Sequence, residues 1–241
     1  MTCINNPIPW ELWICIANFS EICDYNLFFT NKKFFGLINC YKFDSNVIKF
    51  AIKQGNLDII KYILKLKHKK DTLIDNKRFT AIGLQKCLNL SCEFGHLEVA
   101  KFLVENGVDI QADNNYAVQL ASQSGHLEIV RFLVSQGANI QSNDNCAVKW
   151  ASQSGHLEVV KFLVSQGANI QAGNNHAVRW ASYYGRLEVV RFLVEKGADI
   201  LANDNWAIQW ASFNGHIEMV KFLVEKGADS QYAFNYSIIF Q

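Results

Sequence analysis

Between Gly125 and Gly137 the chain reads HLEIVRFLVSQ, with apolar positions at Leu127, Ile129, Val130, Leu133 and Val134. Those steps place a broad apolar stripe on one side of a helix. Glu128 and Arg131 sit three apart on the remaining face and can pair weakly in water. The preceding stretch, YAVQLASQS, has Val118 and Ala121 three apart with Leu120 beside them, and predicts a shorter helix. Asn115 stands where a side-chain oxygen can cap that helix by accepting from a free backbone N–H. Ala121 and Ser122 are small enough to let a neighbouring helix approach closely. Gly125 and Gly137 can take the left-handed conformation that closes each helix. After Gly137, ANIQSND predicts a short extended connection.

The same pattern returns every thirty residues. Gly95, Gly125, Gly155, Gly185 and Gly215 keep that spacing, as do Gly107, Gly137, Gly167, Gly197 and Gly227, and Asn115, Asn145, Asn175, Asn205 and Asn235. The acid–base pair returns as Glu98 with Lys101, Glu158 with Lys161, Glu188 with Arg191 and Glu218 with Lys221. Gly55, in QGNLDIIKYIL, marks a further copy, and the extra length before Gly95 falls in KHKKDTLIDNKRFTAIG. The units run over about 45–84, 85–114, 115–144, 145–174, 175–204 and 205–234. Two short helices with apolar flanks cannot bury themselves alone, and stacking like units buries them against each other in a quasi-one-dimensional solenoid. FNYSIIFQ starts another first helix at Asn235 and then stops, so 235–241 is expected to be a truncated repeat that packs poorly.

GHLEVVKFLVSQGANI resembles the second half of an ankyrin repeat, and A-S-x-x-G-H resembles that family's A-A-x-x-G-H. The resemblance covers residues 45–234. It implies an all-α solenoid of helix-turn-helix units, joined here by shortened hairpins. The usual unit has about 33 residues and opens its first helix with T-P-L-H. Here CAVKW, HAVRW and WAIQW stand in that place, and the only prolines are Pro7 and Pro9. The three missing residues lie between Gly137 and Cys146, which implies shortened β-fingers and a shallower groove. The trimmed, Asn- and Ile-rich unit is similar to ankyrin proteins of giant DNA viruses of amoebae. Family members are often hydroxylated at an asparagine where this chain has Gln111, Gln141, Gln171, Leu201 and Gln231, so that modification is not expected.

Positions that change between copies are free of the stacking constraint and are candidates for contact. The pair before each Gly-His varies most: Glu93 and Phe94, Gln123 and Ser124, Gln153 and Ser154, Tyr183 and Tyr184, Phe213 and Asn214. In the ankyrin family this pair lies on the concave, partner-facing side. Aromatic residues there suit a binding hot spot, because they offer large area with few rotors. Tyr116, Cys146, His176 and Trp206 vary at a second place, and Asp113, Asn143, Asp144, Asn174, Asn203 and Asp204 at the connection tips. The expected partner-binding set is Phe94, Gln123, Gln153, Tyr183, Tyr184, Phe213, Asn214, Trp206, His176 and Tyr116. Trp150, Trp180 and Trp210 replace a core leucine of the family and are expected in the interior. His96, His126, His156 and His216, with Arg186 once in their place, are expected to serve capping and inter-repeat hydrogen bonding.

Of the 241 residues half are hydrophobic and the net charge is +1, so no overall pull toward nucleic acid or anionic membrane is expected. The basic run KLKHKK at 65–70 reads as a solvated loop. No stretch reaches the roughly 20 apolar residues of a spanning helix, and the N-terminus lacks a signal-peptide pattern. The seven cysteines form no C-x-x-C pair, which fits reduced thiols in a cytosolic setting. Cys87, Cys92 and His96 lack a fourth ligand, and no metal or other cofactor is expected. No nucleophile–base set, phosphate loop or H-E-x-x-H occurs, so catalysis is not expected.

Residues 1–44 do not repeat. Glu11, Leu12, Ile16 and Phe19 predict an amphipathic helix after Pro9, and Leu27, Phe28, Phe34, Phe35 and Ile38 predict further short helices. Ile8, Pro9, Glu11, Leu12 and Ile16, followed by Asn31, Lys32, Lys33, Phe34 and Leu37, resemble the opening and tail of an F-box. That resemblance implies docking of Ile8, Pro9, Leu12 and Ile16 on the adaptor subunit of a cullin ubiquitin ligase. The alternative is a cap over the open end of the solenoid, making the chain a plain binding or decoy module. The function expected is a protein–protein interaction scaffold, a substrate-recruiting adaptor. Its partners are proteins, host proteins and ubiquitin-ligase subunits among them, and it acts as a monomer in the cytoplasm, that of the host for a viral chain.

Overall fold

The computed structural model describes residues 76–233, with scattered positions between 49 and 61. The chain divides into two compact units, Met1–Gly83 and Leu84–Gln241. In the first, Gly55 takes a φ of 65° and its N–H bonds the Ile52 carbonyl at 2.9 Å. This is the helix-ending role that the repeat pattern assigns to it. Ile52 and Ile60 are buried.

The described residues form α1 (Asn76–Phe94), α2 (Leu97–Glu105), α3 (Ala112–Gln123), α4 (Leu127–Ser135), α5 (Ser142–Ser154), α6 (Leu157–Ser165), α7 (Ala172–Tyr183), α8 (Leu187–Glu195), α9 (Ala202–Phe213) and α10 (Ile217–Glu225). A 3-10 turn, Ser230–Tyr232, follows, and no strand occurs among the described residues. Helical dihedrals break in α1 at Gly83 (ψ −111°). The arrangement of 84–233 is the expected solenoid of helix-turn-helix units.

Packing follows the small residues. The closest neighbours are successive first helices, α3 with α5, α5 with α7 and α7 with α9. Ala117, Val118, Ala121 and Ser122 are fully buried there, as are their counterparts in later units. The second helices bury Ile129, Val130 and Leu133 and their equivalents; each contributes about 1.5–3 kcal/mol by leaving water. Gly137 ends α4 with paired bonds, its own N–H to the Val134 carbonyl at 3.0 Å and that of Ala138 to the Leu133 carbonyl at 2.9 Å. The expected surface pairs form in every described unit, for example Lys161 with Glu158 at 2.7 Å and Arg191 with Glu188 at 3.8 Å. They are exposed and contribute little.

The connection between units is where the structure departs from expectation. It is not extended. Asp113, Asn114 and Asn115 all have φ between 51° and 61° with ψ near 40°, forming one left-handed turn ahead of α3's right-handed part. Asn143, Asp144 and Asn145, then Gly173, Asn174 and Asn175, then Asn203, Asp204 and Asn205, repeat it. A left-handed residue costs an ordinary L-amino acid about 1–2 kcal/mol, and Gly, Asn and Asp are the types that tolerate it. Only those three types occupy these twelve positions.

Asn115 therefore does not cap its own helix. Its Oδ1 accepts from the backbone N–H of Asn139 in the next unit at 2.7 Å, and its Nδ2 donates to Ser142 Oγ at 3.2 Å. Asn145 receives Asn169 at 2.8 Å, Asn175 receives Asp199 at 2.9 Å, and Asn205 receives Asp229 at 3.2 Å. A second ladder runs beside it. Gln111, Gln141 and Gln171 donate through Nε2 to the Gly137, Gly167 and Gly197 carbonyls at 3.0, 2.9 and 2.9 Å. The glutamines at the place of the family's modified asparagine thus act as inter-repeat braces. Leu201 breaks that ladder and is 48% exposed.

Candidate functional site

Of the two roles expected of the histidines, capping and inter-repeat bonding, the structure shows the second. None makes a side-chain cap bond. Instead, His126 donates from Nε2 to the Glu93 carbonyl at 3.0 Å and His216 to the Tyr183 carbonyl at 2.9 Å. Arg186 makes the equivalent bond to Gln153 at 3.2 Å. The glycine of the preceding unit makes room: a Cβ on Gly125, whose φ is 81°, would lie 2.4 Å from the His156 ring. These rings therefore bind one unit to the next.

The variable aromatic positions converge on the first-helix face of units 175–204 and 205–234. Trp180 is a hub. His176 stacks on it at 5.6 Å between ring centres, Tyr184 at 6.0 Å, and Tyr183 meets it at 5.4 Å. Trp206 of the next unit lies 5.5 Å from Trp180 and 6.0 Å from Tyr183. Trp210 continues the network, 5.5 Å from Tyr183, 5.5 Å from Trp206 and 5.3 Å from Phe213. Phe213 is 71% exposed, Tyr184 is exposed, and Tyr183, Trp180, Trp206 and Trp210 are half-buried.

Five of the expected binding residues thus come together: His176, Tyr183, Tyr184, Trp206 and Phe213. The tryptophans are a correction. Trp150, Trp180 and Trp210 are half-buried, not interior, because the small residues that follow them directly, Ala151, Ala181 and Ala211, turn to the neighbouring first helices and already fill the space between them. The indoles are displaced outward onto the ring surface. Tyr116 forms a separate edge-to-face pair with Trp150 at 6.2 Å. Asn214 spends its Nδ2 on the Trp210 carbonyl at 2.8 Å. Gln123 and Phe94 are exposed and Gln153 is half-buried in earlier units. Ile8, Pro9, Leu12 and Ile16 lie outside the described residues.

One functional position escaped the sequence reading. Residues 119, 149, 179 and 209 are Gln, Lys, Arg and Gln, and each supplies a donor to its own left-handed turn. Gln119 bonds the Asn114 carbonyl at 2.6 Å, and Gln209 bonds that of Asp204. Arg179 bonds Asn174 at 2.9 Å and Gly173 at 3.1 Å, while Lys149 pairs with the Asp144 carboxylate. Reduction to donor-bearing types was the available signal. Arg179 also lies over the Trp206 ring, 5.3 Å from its centre. Burial, then the Lys149 and Arg179 charges, push the His176 pKa down to about 4, so the ring facing Trp180 is neutral at pH 7.

Burial pushes the Cys87 and Cys92 thiols up to about 12, which leaves them unreactive. Among the described residues no cluster of His, Cys, Asp and Glu could hold a metal ion, and no helix is long and apolar enough to cross a membrane.

Comparison with known proteins places this architecture. Three ankyrin repeat proteins of Acanthamoeba polyphaga mimivirus are similar to it. One is 39% identical over 122 residues, covering 51% of this chain and 56% of the relative. The second is 43% identical over 115 residues (48% and 50%), and the third 38% over 116 (48% and 46%). The chain spans about half the length of these relatives. The family model for ankyrin repeats in three copies matches residues 12–114, 88–174, 142–204 and 171–233. With paired helices, glycine closures and inter-repeat bonds recurring in that same register, the chain belongs to the ankyrin-repeat family.

Proposed function

We propose that this chain holds a partner protein on the aromatic first-helix face of units 175–204 and 205–234. Ankyrin repeats are a protein–protein interaction module, and no catalytic role is proposed for any residue. The observation carrying the reading is the joined ring network from His176 to Phe213. It concentrates the largest variable side chains in two adjacent units and leaves Phe213 and Tyr184 facing solvent. Partially exposed aromatics supply large contact area at low entropic cost, as binding hot spots do. Capture of amoebal proteins by the intact chain, compared with a Tyr184→Ala, Phe213→Ala variant, tests the assignment. Loss of a reproducible partner supports it, and undiminished capture refutes it.

We infer further that residues 1–44 join this surface to ubiquitin-ligase machinery in the cytoplasm of the infected host, the chain acting as a monomer. The F-box-like positions Ile8, Pro9, Leu12 and Ile16 support that role, and the viral relatives support that setting. A Leu12→Asp, Ile16→Asp variant should lose ligase subunits while retaining the repeat-bound partner. An intact chain that recovers its partner but no ligase subunit favours the cap or decoy instead.

A further inference from the structure

Unit 205–234 is tethered more loosely than the described units before it, in four respects. Gln111, Gln141 and Gln171 each reach the closing glycine of the unit that follows, whereas Leu201 has no amide to offer Gly227. Asn115, Asn145 and Asn175 are buried and accept at 2.7, 2.8 and 2.9 Å, whereas Asn205 is half-buried and accepts at 3.2 Å. Ser122, Ser152 and Ser182 donate to the carbonyl one turn back at 2.7, 2.7 and 2.8 Å, whereas the buried Ser212 Oγ has no partner. Among the second helices α2 packs closely on α4, α4 on α6 and α6 on α8, but α8 and α10 meet less closely.

Rings supply much of what crosses this joint. Trp206 lies against Trp180 and Tyr183, and Trp210 against Tyr183. Arg179 covers Trp206, Arg191 lies 4.5 Å from the centre of the Phe222 ring, and His216 bonds the Tyr183 carbonyl. In a linear array a unit is held by its neighbours alone, so a local loss is not shared along the chain. The missing brace and the unpartnered Ser212 hydroxyl both weaken the same unit. Regions of low local stability open as cooperative pieces before the whole unfolds. We propose that 205–233 opens as one such piece, and that its opening parts Trp206 and Trp210 from Trp180 and Tyr183. The aromatic face then exists only while this unit is docked, so the joint gates the face. The consequence for capture rests on the reading of that face as partner-binding; the opening itself does not.

The test is native-state amide hydrogen exchange of the intact, isotope-labelled chain. Ala211 in α9 and Leu223 in α10 should share one opening equilibrium. They should exchange about tenfold or more faster, after correction for intrinsic rates, than Ala181 and Leu193 of the preceding unit, the combined effect of the absent brace and the unpartnered hydroxyl. Leu201→Gln should slow Ala211 and Leu223 about fivefold, the worth of one neutral hydrogen bond, and leave Ala151 and Leu163 unchanged. Trp206→Ala, which takes a ring out of the joint, should hasten Leu223 about tenfold. Equal protection of Ala181 and Ala211 overturns the proposal, as do separate opening equilibria for Ala211 and Leu223. A Leu201→Gln variant whose Leu223 exchange is unchanged also overturns it, since ordinary fraying of a helix end ignores the brace. Protein capture by the Tyr184→Ala, Phe213→Ala variant reads the face separately. Partner loss there with even exchange removes the joint and leaves the face, and undiminished capture with fast, shared exchange removes the face and leaves the joint.

Discussion

Asn145 accepts a hydrogen bond from the backbone N–H of Asn169 at 2.8 Å, tying the turn that opens one unit to the connection that opens the next. Asn145 is buried and has a φ of 60°, so two requirements meet in one residue. Asn145→Ala removes the acceptor, at about 1–3 kcal/mol, and places a Cβ-bearing residue without a local polar compensation in the left-handed region, at about 1–2 kcal/mol. Asn145→Gly loses only the first. Urea unfolding should rank the glycine variant above the alanine variant by about 1 kcal/mol; equal losses would mean that the turn is unstrained.

Leu201 stands where Gln111, Gln141 and Gln171 brace the following unit. Leu201→Gln should let an amide reach the Gly227 carbonyl and remove an exposed apolar side chain. A gain of about 0.5–1.5 kcal/mol is expected, read as a raised thermal midpoint. Gln171→Leu should lower it. A Leu201→Gln variant no more stable than the parent would show that the last junction does not match the earlier ones.

His176 links stability to pH. Its folded pKa of about 4 lies below the ordinary 6.5, so between those values the unfolded chain binds more protons and stability falls as pH drops. The contribution is fully present above pH 6.5 and is lost as pH falls toward about 4. Burial lowers the His156 pKa in the same direction. His176→Phe keeps a ring against Trp180 and cannot charge. The difference in urea midpoint between this variant and the parent should widen from pH 7 to pH 4.5 in favour of the variant. A constant difference would count against a suppressed imidazolium.

Phe213 and Tyr183 occupy equivalent places in adjacent repeats but differ in burial. Phe213 is 71% exposed and touches Trp210, whereas Tyr183 is half-buried among Trp180, Tyr184, Trp206 and Trp210. Phe213→Ala should change stability by less than about 0.5 kcal/mol. Tyr183→Ala should cost about 1–3 kcal/mol through lost ring contacts. Urea unfolding of both variants checks the contrast, and equal effects would break it.

Much of the fold was legible because its causes are local. The apolar steps of HLEIVRFLVSQ, the closing glycines and the small Ala-Ser pair each act within a few residues, and each appears where the pattern puts it. Glu128 and Arg131 also meet, since one helix carries both. Gathering the binding face was only half legible. Variation between copies singled out Tyr183, Tyr184, Trp206 and Phe213, but it could not place the tryptophans. Whether Trp180 points inward depends on how closely α5, α7 and α9 approach.

The sequence by itself determined the thirty-residue unit, its two helices and the need to stack, since periodicity and helix ends depend on neighbours along the chain. The tertiary structure alone decided what Asn115 bonds, because the partner amide of Asn139 lies twenty-four residues on and becomes available only when the next unit docks. It also decided that Asn, Asp and Gly at the joints make a left-handed turn rather than an extended link. That conformation is costly in isolation and is held by bonds from the following unit and from the donors at 119, 179 and 209.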